Sequence, residues 1–82
     1  MFHFFSLHAD TSCFEEGTYG GTQIDYLENV SKAANCQLEC QKHTECQFWT
    51  YEFAKKRCWR QRANASEYAY ENAGAIRGPR AC

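Results

Sequence analysis

The sequence predicts an α+β domain: an antiparallel sheet of about five strands, packed against a single α-helix and held by three disulfides. Three observations predict it. Six cysteines (Cys13, Cys36, Cys40, Cys46, Cys58 and Cys82) stand in only 82 residues, an even count whose outer pair nearly brackets the chain. That reads as the disulfide framework of an extracellular module. The local patterns run strand, helix, then several strands. Aromatic residues make up 16% of the chain and are spread along it. A domain this small has a marginal core, and large rings plus covalent cross-links are a consistent remedy.

Each element follows from its residues. Residues 1–10 precede the first cysteine and are read as a tail, a linker or residues added for expression, with 11–82 forming the domain. The opening Met1-Phe-His-Phe-Phe-Ser-Leu-His8 is too short for the apolar region of a secretion signal and lacks a basic flank. Residues 14–22 hold three glycines and read as turns. Residues 23–28 alternate weakly and suit a strand. Ser31 is the best helix N-cap, and residues 32–42, free of glycine and proline, form the one long helix, with Ala33, Cys36 and Cys40 on one stripe. Residues 47–53 are rich in β-formers; residues 54–56 suit a tight turn, and 57–62 return as the partner strand of a hairpin. Residues 63–66 read as a loop, 67–70 and 74–76 as short strands, and Gly78-Pro79 as the end of regular structure.

Charge and hydropathy exclude several classes. The formal net charge is −1, so no global field favours nucleic acid or an anionic membrane. No apolar run is long enough to span a bilayer, so no membrane insertion is expected.

Six cysteines permit fifteen connectivities, and geometry removes some. Cys36 and Cys40 lie one helical turn apart, with Cβ atoms about 5–6 Å apart, wider than the roughly 3.8 Å a disulfide needs. Both sulfurs must then reach other elements. Cys40 can reach Cys46, Cys36 can reach Cys58, and Cys13 and Cys82 remain. Chain entropy rates these loops at roughly 2, 3 and 4 kcal/mol.

At this point a resemblance emerges. Asn29-Val-Ser31 leading into Cys36-Gln-Leu-Glu-Cys40, then Cys46-Gln-Phe-Trp-Thr-Tyr51, Cys58-Trp59 and the closing Gly74-Ala-Ile-Arg-Gly-Pro-Arg-Ala-Cys82 fit the spacing of the PAN/apple domain family. The agreement runs from Cys13 to Cys82. Within the family the chain is most similar to apple domains of apicomplexan microneme adhesins, and less to those of coagulation proteases. The resemblance implies the same pairing: outer with outer, second with fifth, third with fourth. One departure stands out. Arg60 occupies a place that is often aliphatic in the family. It shares a strand face with Cys58, so it must snorkel outward or find an acidic partner.

Catalysis and metal chemistry find little support. Nucleophilic catalysis needs a free thiol or hydroxyl beside an oriented base. The thiols are expected to be oxidised, and of His3, His8 and His43 the first two lie in the expected tail. Cys36, Cys40, His43 and Cys46 can be drawn as zinc ligands, but the spacing is cramped and three cysteines would stay unexplained. No enzyme activity, cofactor or metal is expected.

The candidate ligand surface is Lys55, Lys56, Arg57, Arg60 and Arg62 on one hairpin, with Tyr68 and Tyr70 in a more polar stretch. The cations would take a sulfated glycan or an acidic partner; the plainer and favoured reading is a solvated hairpin whose charges are balanced by Glu52 and other acids. Trp49, Tyr51, Phe53 and Trp59 could stack on sugars but are read mostly as core. Asn29-Val-Ser31 and Asn64-Ala-Ser66 are N-glycosylation sequons. The resemblance implies a non-catalytic adhesion module, one of several tandem apple domains in a secreted protein of a parasite organelle, the microneme. Its partners would be a host-cell glycoconjugate or a partner adhesin, and the isolated domain is expected to be monomeric. The alternatives are an exosite module of a coagulation-type protease and a structural spacer without a ligand.

Overall fold

The computed structural model describes residues 9–82, so the expected tail lies, for residues 1–8, outside the described residues. In chain order the elements are β1 (Glu15–Glu16), β2 (Thr18–Tyr19), β3 (Gln23–Leu27), α1 (Ala33–Gln41), β4 (Phe48–Glu52), β5 (Arg57–Gln61), a 3₁₀ helix (Ala63–Tyr68), β6 (Ala69–Tyr70) and β7 (Ala75–Pro79). Five strands form one antiparallel sheet in the order β1-β7-β4-β5-β3, and β2 pairs with β6 as a separate ribbon.

The two faces of the sheet carry different chemistry because side chains alternate along each strand. On one face, Trp49, Tyr51 and Cys58 meet Cys36 and Cys40 of α1 to form the buried core. Phe14, Leu27, Val30 and Ile76 pack around it. Trp49 lies edge-on to Phe14 at 4.6 Å, and its indole N–H donates to the Pro79 carbonyl at 2.8 Å. A Cβ on Gly78 would stand 2.7 Å from Trp49 Cζ2, so this strand position needs glycine. On the other face the buried groups are polar. Thr50 Oγ1 accepts from the Tyr19 amide at 3.1 Å and donates to Gln61 Oε1 at 2.9 Å, and Gln61 Nε2 donates to the Tyr19 carbonyl. The Thr50 hydroxyl and the Gln61 amide thus find partners within the network, as burial demands. The network fastens the β2-β6 ribbon onto the sheet, where Tyr19 also meets Phe48 edge-on at 5.2 Å.

Disulfides join Cys13 to Cys82, Cys36 to Cys58 and Cys40 to Cys46, with Cα atoms 5.6, 5.3 and 5.2 Å apart. The first closes the domain end to end, the second pins α1 to β5, and the third ties the end of α1 to the segment before β4. Asp10, assigned from sequence to the leading tail, is joined to the domain: its amide donates to the buried Gln37 Oε1 at 2.7 Å.

Several expectations need correction. The N-cap position is Lys32, in extended backbone without a side-chain cap bond. Ser31 instead accepts a bond from Asn35 Nδ2 at 2.8 Å, which leaves its oxygen engaged one turn away from the helix amides. Residues 63–66 are not a loop but the start of the 3₁₀ helix, and the strand expected over 67–70 is reduced to Ala69–Tyr70. Asn64 explains the first change, since its side chain accepts from the Thr22 amide and donates to the Thr22 hydroxyl. Strand β7 also runs through Gly78 to Pro79. Strand β1 pairs only Ile76 and Arg77, so at Pro79 the missing amide proton costs no ladder bond on that side. Phe53, read as core, is 48% exposed, and Trp59 is half-buried.

Candidate ligand-recognition surface

The hairpin cations do not gather into one field. Lys55 and Lys56 sit exposed in the turn between β4 and β5, where Lys56 adopts a left-handed φ of 49° and its carbonyl accepts the Val30 amide at 2.9 Å. Among the described residues neither lysine makes an ion pair. The arginines are each neutralised elsewhere. Arg57 pairs with Glu28 at 2.9 Å and lies 4.6 Å over the Tyr26 ring, with Trp59 beyond it. Arg62 pairs with Glu45 at 2.7 Å. Arg60 is on the helix side, where its guanidinium clasps both oxygens of Asp25 and reaches the Glu39 carbonyl. The acids that balance the hairpin are therefore Glu28, Asp25 and Glu45; Glu52 instead accepts the Trp59 indole N–H.

The Arg60–Asp25 fork has an electrostatic signature. Hydrogen bonds from the guanidinium hold the Asp25 carboxyl below the usual carboxylate range, and the same bonds raise Arg60. The aliphatic place of the family is thus filled by an ion pair whose Arg60 member is mostly covered.

On the opposite face the ribbon and the sheet enclose a cleft of about 170 Å³. Its aromatic walls are Trp59 and Tyr70, the latter 55% exposed. Its polar groups are Glu52, Asn72, Gln23 and Thr18. The floor is Tyr19 and Thr50, of which the Tyr19 carbonyl and Thr50 Oγ1 are committed to Gln61. The Asn72 side chain is fixed by donating to Thr18 Oγ1 at 3.0 Å and accepting the Gly74 amide at 2.9 Å. Glu52 uses one oxygen on Trp59, and its other oxygen makes no hydrogen bond within the described residues. A small aromatic-walled cleft with preset acceptors and donors suits a compact polyhydroxylated ring. Of the residues named from sequence, Tyr70 lines this cleft; Tyr68 is 57% exposed on the 3₁₀ helix, where its carbonyl accepts the Gly20 amide at 2.8 Å. Glu52, Asn72, Gln23 and Thr18 had no local signal, because they meet only through the β2-β6 ribbon.

Among the described residues no group of three or more His, Cys, Asp or Glu side chains is placed to hold an ion. Cys36, Cys40 and Cys46 are in disulfides, and His43 Nδ1 accepts the Glu45 amide at 3.1 Å. Among the described residues no helix is long and apolar enough to cross a membrane.

A stapled sheet crossed by one helix, with a small-molecule-sized cleft on its free face, defines a class, and the comparisons say which. Residues 10–82 match the PAN domain, and the chain belongs to that family. It is similar to microneme antigen L2 of Sarcocystis muris, 35% identical over 75 residues that cover 89% of this chain and 53% of that protein. Among solved structures it is similar to the two N-terminal apple domains of Toxoplasma gondii microneme protein 4, with a TM-score of 0.73 and 27% identity over 87% of this chain and 46% of that one. A PAN module from Eimeria tenella shares the fold, with a TM-score of 0.58 at 23% identity, covering 92% of this chain and 86% of the module. The chain spans about half the length of the first two of these relatives.

Proposed function

We propose that this PAN domain is a non-catalytic adhesion module that holds one neutral sugar of a host-cell glycoconjugate in the Trp59–Tyr70 cleft. The observation that carries it is the cleft itself: two aromatic walls for the apolar face of a sugar ring, and Glu52, Asn72 and Gln23 for its hydroxyls. The Glu52 carboxylate disfavours sialylated or sulfated residues at this position. Pairing with Glu28, Asp25 and Glu45 likewise leaves only Lys55 and Lys56 of the hairpin cations for an anionic ligand. The likeness to microneme proteins supports release from a parasite secretory organelle and a place in a tandem array. Disulfides would hold the cleft in its binding shape, which lowers the ordering cost of association. A single shallow cleft gives an affinity of about 1 mM, about −4 kcal/mol. Tandem copies would raise this by about 10² to 10⁴ through effective concentration.

A second reading, contact with a partner adhesin, is favoured by the exposed Tyr26 stacked with Arg57 and Trp59, a composition typical of protein hot spots. Glycan-array binding of wild type and Tyr70→Ala separates the readings. The glycan reading expects retention on neutral hexosides that falls about tenfold in Tyr70→Ala, roughly 1.4 kcal/mol. Retention that ignores Tyr70 but fails in Tyr26→Ala favours the protein-contact surface. No retention on any glycan and no captured partner adhesin favours the spacer.

A further inference from the structure

A second groove lies on the helix side of the molecule and plays no part in the reading above. It measures about 460 Å³ and runs between the β3–α1 connection and α1. Leu27, Val30 and Leu38, each half-buried, give it apolar surface. Asn35 and Lys42 line it from the helix, and Asn29, the first residue of a sequon, lines it from the connection. We propose that Asn29, and not Asn64, carries an N-linked glycan, and that the first sugars of this glycan lie along the groove.

The two sequons differ in what the fold has done with the asparagine. Asn29 is exposed, holds a left-handed φ of 61°, and its side chain makes no hydrogen bond within the described residues. Its amide is free to be substituted without loss of any contact. The Asn64 amide closes a two-way clamp on Thr22 that starts the 3₁₀ helix, and a sugar on its Nδ2 must share the nitrogen that donates to Thr22 Oγ1. The next residue is crowded too: a Cβ on Gly21 would come within 2.3 Å of Ala65 Cα, so this corner has no slack. The disulfides place the chain in the compartment where such transfer occurs.

The transfer itself runs on the unfolded chain, since the folded Ser31 hydroxyl is engaged by Asn35. A lipid diphosphate-linked oligosaccharide is the donor. The bond from sugar C1 to Asn29 Nδ2 forms, the bond from C1 to the diphosphate oxygen breaks, the lipid diphosphate leaves with the electron pair, and the amide proton passes to a base. Folding then selects which product is kept. At Asn29 the attached sugars meet apolar surface for the N-acetyl methyl group and polar groups for the hydroxyls; at Asn64 the modified chain must rebuild the Thr22 clamp.

The test is secretion of the 82-residue chain from a eukaryotic host, with a reporter sequon as positive control. Release by a peptide N-glycanase, an amidase that hydrolyses the side-chain amide, in ¹⁸O water converts each occupied asparagine to labelled aspartate. The expected result is label at Asn29 in most molecules and little at Asn64, a mass shift of one glycan, and loss of that shift in Asn29→Gln and equally in Ser31→Ala, which spares Asn29 if Asn29→Gln secretes poorly. Groove seating is read separately: glycan release should shift the methyl resonances of Leu27, Val30 and Leu38 and leave those of Ala65 and Ala75 unchanged. Label confined to Asn64, or an occupied reporter with neither sequon labelled, overturns the site assignment. Occupancy at Asn29 without methyl shifts in the groove overturns the seating.

Discussion

Arg80 shows how much a single side chain can carry in a domain of this size. Its guanidinium donates to the carbonyls of Cys40 at 3.1 Å, Gln41 at 2.7 Å, His43 at 2.6 Å and Cys46 at 2.7 Å. These carbonyls include the unsatisfied C-terminal groups of α1, where the helix dipole also favours a cation. No basic residue lies in the last turn of the helix itself, so the cap comes from forty residues away in sequence. Removing it takes a charged donor from all four carbonyls, of which those of Cys40 and His43 keep the amides of His43 and Cys46. We expect Arg80→Ala to cost about 2–4 kcal/mol, read as a lower urea midpoint at unchanged slope. Arg80→Lys should recover only part of this, since an ammonium lacks the planar fork. Asp25 supplies a second prediction. Its folded pKa lies below the ordinary 3.8, so its contribution is complete above that value and is lost as pH falls through the folded pKa. Asp25→Asn should flatten the acid limb of stability below about pH 4 and cost about 1 kcal/mol near neutrality, discounted because the carboxyl is partly exposed. Equal acid sensitivity in the variant would contradict the assignment.

At the scale of elements, legibility follows the range of the causes. Helix α1 and the β4-β5 hairpin were readable because their signals are local: cysteines one turn apart, a run of β-formers on each side of a short polar turn. Arg60 was readable as a problem, since alternation placed it beside Cys58, although only the structure names Asp25 as the answer. Strand β6 was read in part, as a strand over 67–70, but β2, its pairing with β6 and the 3₁₀ helix were not readable. Two-residue strands carry no periodicity, and they exist because Thr50, Gln61 and the Asn64–Thr22 clamp hold them from outside. The cleft was hidden for the same reason, since its polar groups meet only once that ribbon is in place. The Cys36–Cys58 bond is the strongest tie between layers, joining α1 to β5. Replacing both cysteines by alanine should lower stability by roughly 3 kcal/mol, seen as a lower thermal midpoint, with the β2-β6 side of the sheet disturbed less than the helix side in amide exchange.

For the whole molecule, the layout separates the stabilising core from the cleft. One face of the sheet is taken by the helix, the aromatic core and two of the three disulfides; the other is fastened by a polar network that leaves an open cleft beside it. Cross-links worth roughly 2–4 kcal/mol each rival the total stability expected at this size. That leaves the cleft face free to carry polar groups a self-sufficient core would exclude. The most direct test is chemical-shift mapping on the oxidised, ¹⁵N-labelled domain with a neutral hexoside, a sialoside and a heparin fragment. The account predicts saturable shifts with the neutral hexoside at the Trp59 indole, Tyr70, Asn72 and the Gln23 side chain, and none there with the anionic ligands. Shifts confined to Lys55 and Lys56 with heparin, or no shift in the cleft with any neutral sugar, would contradict it.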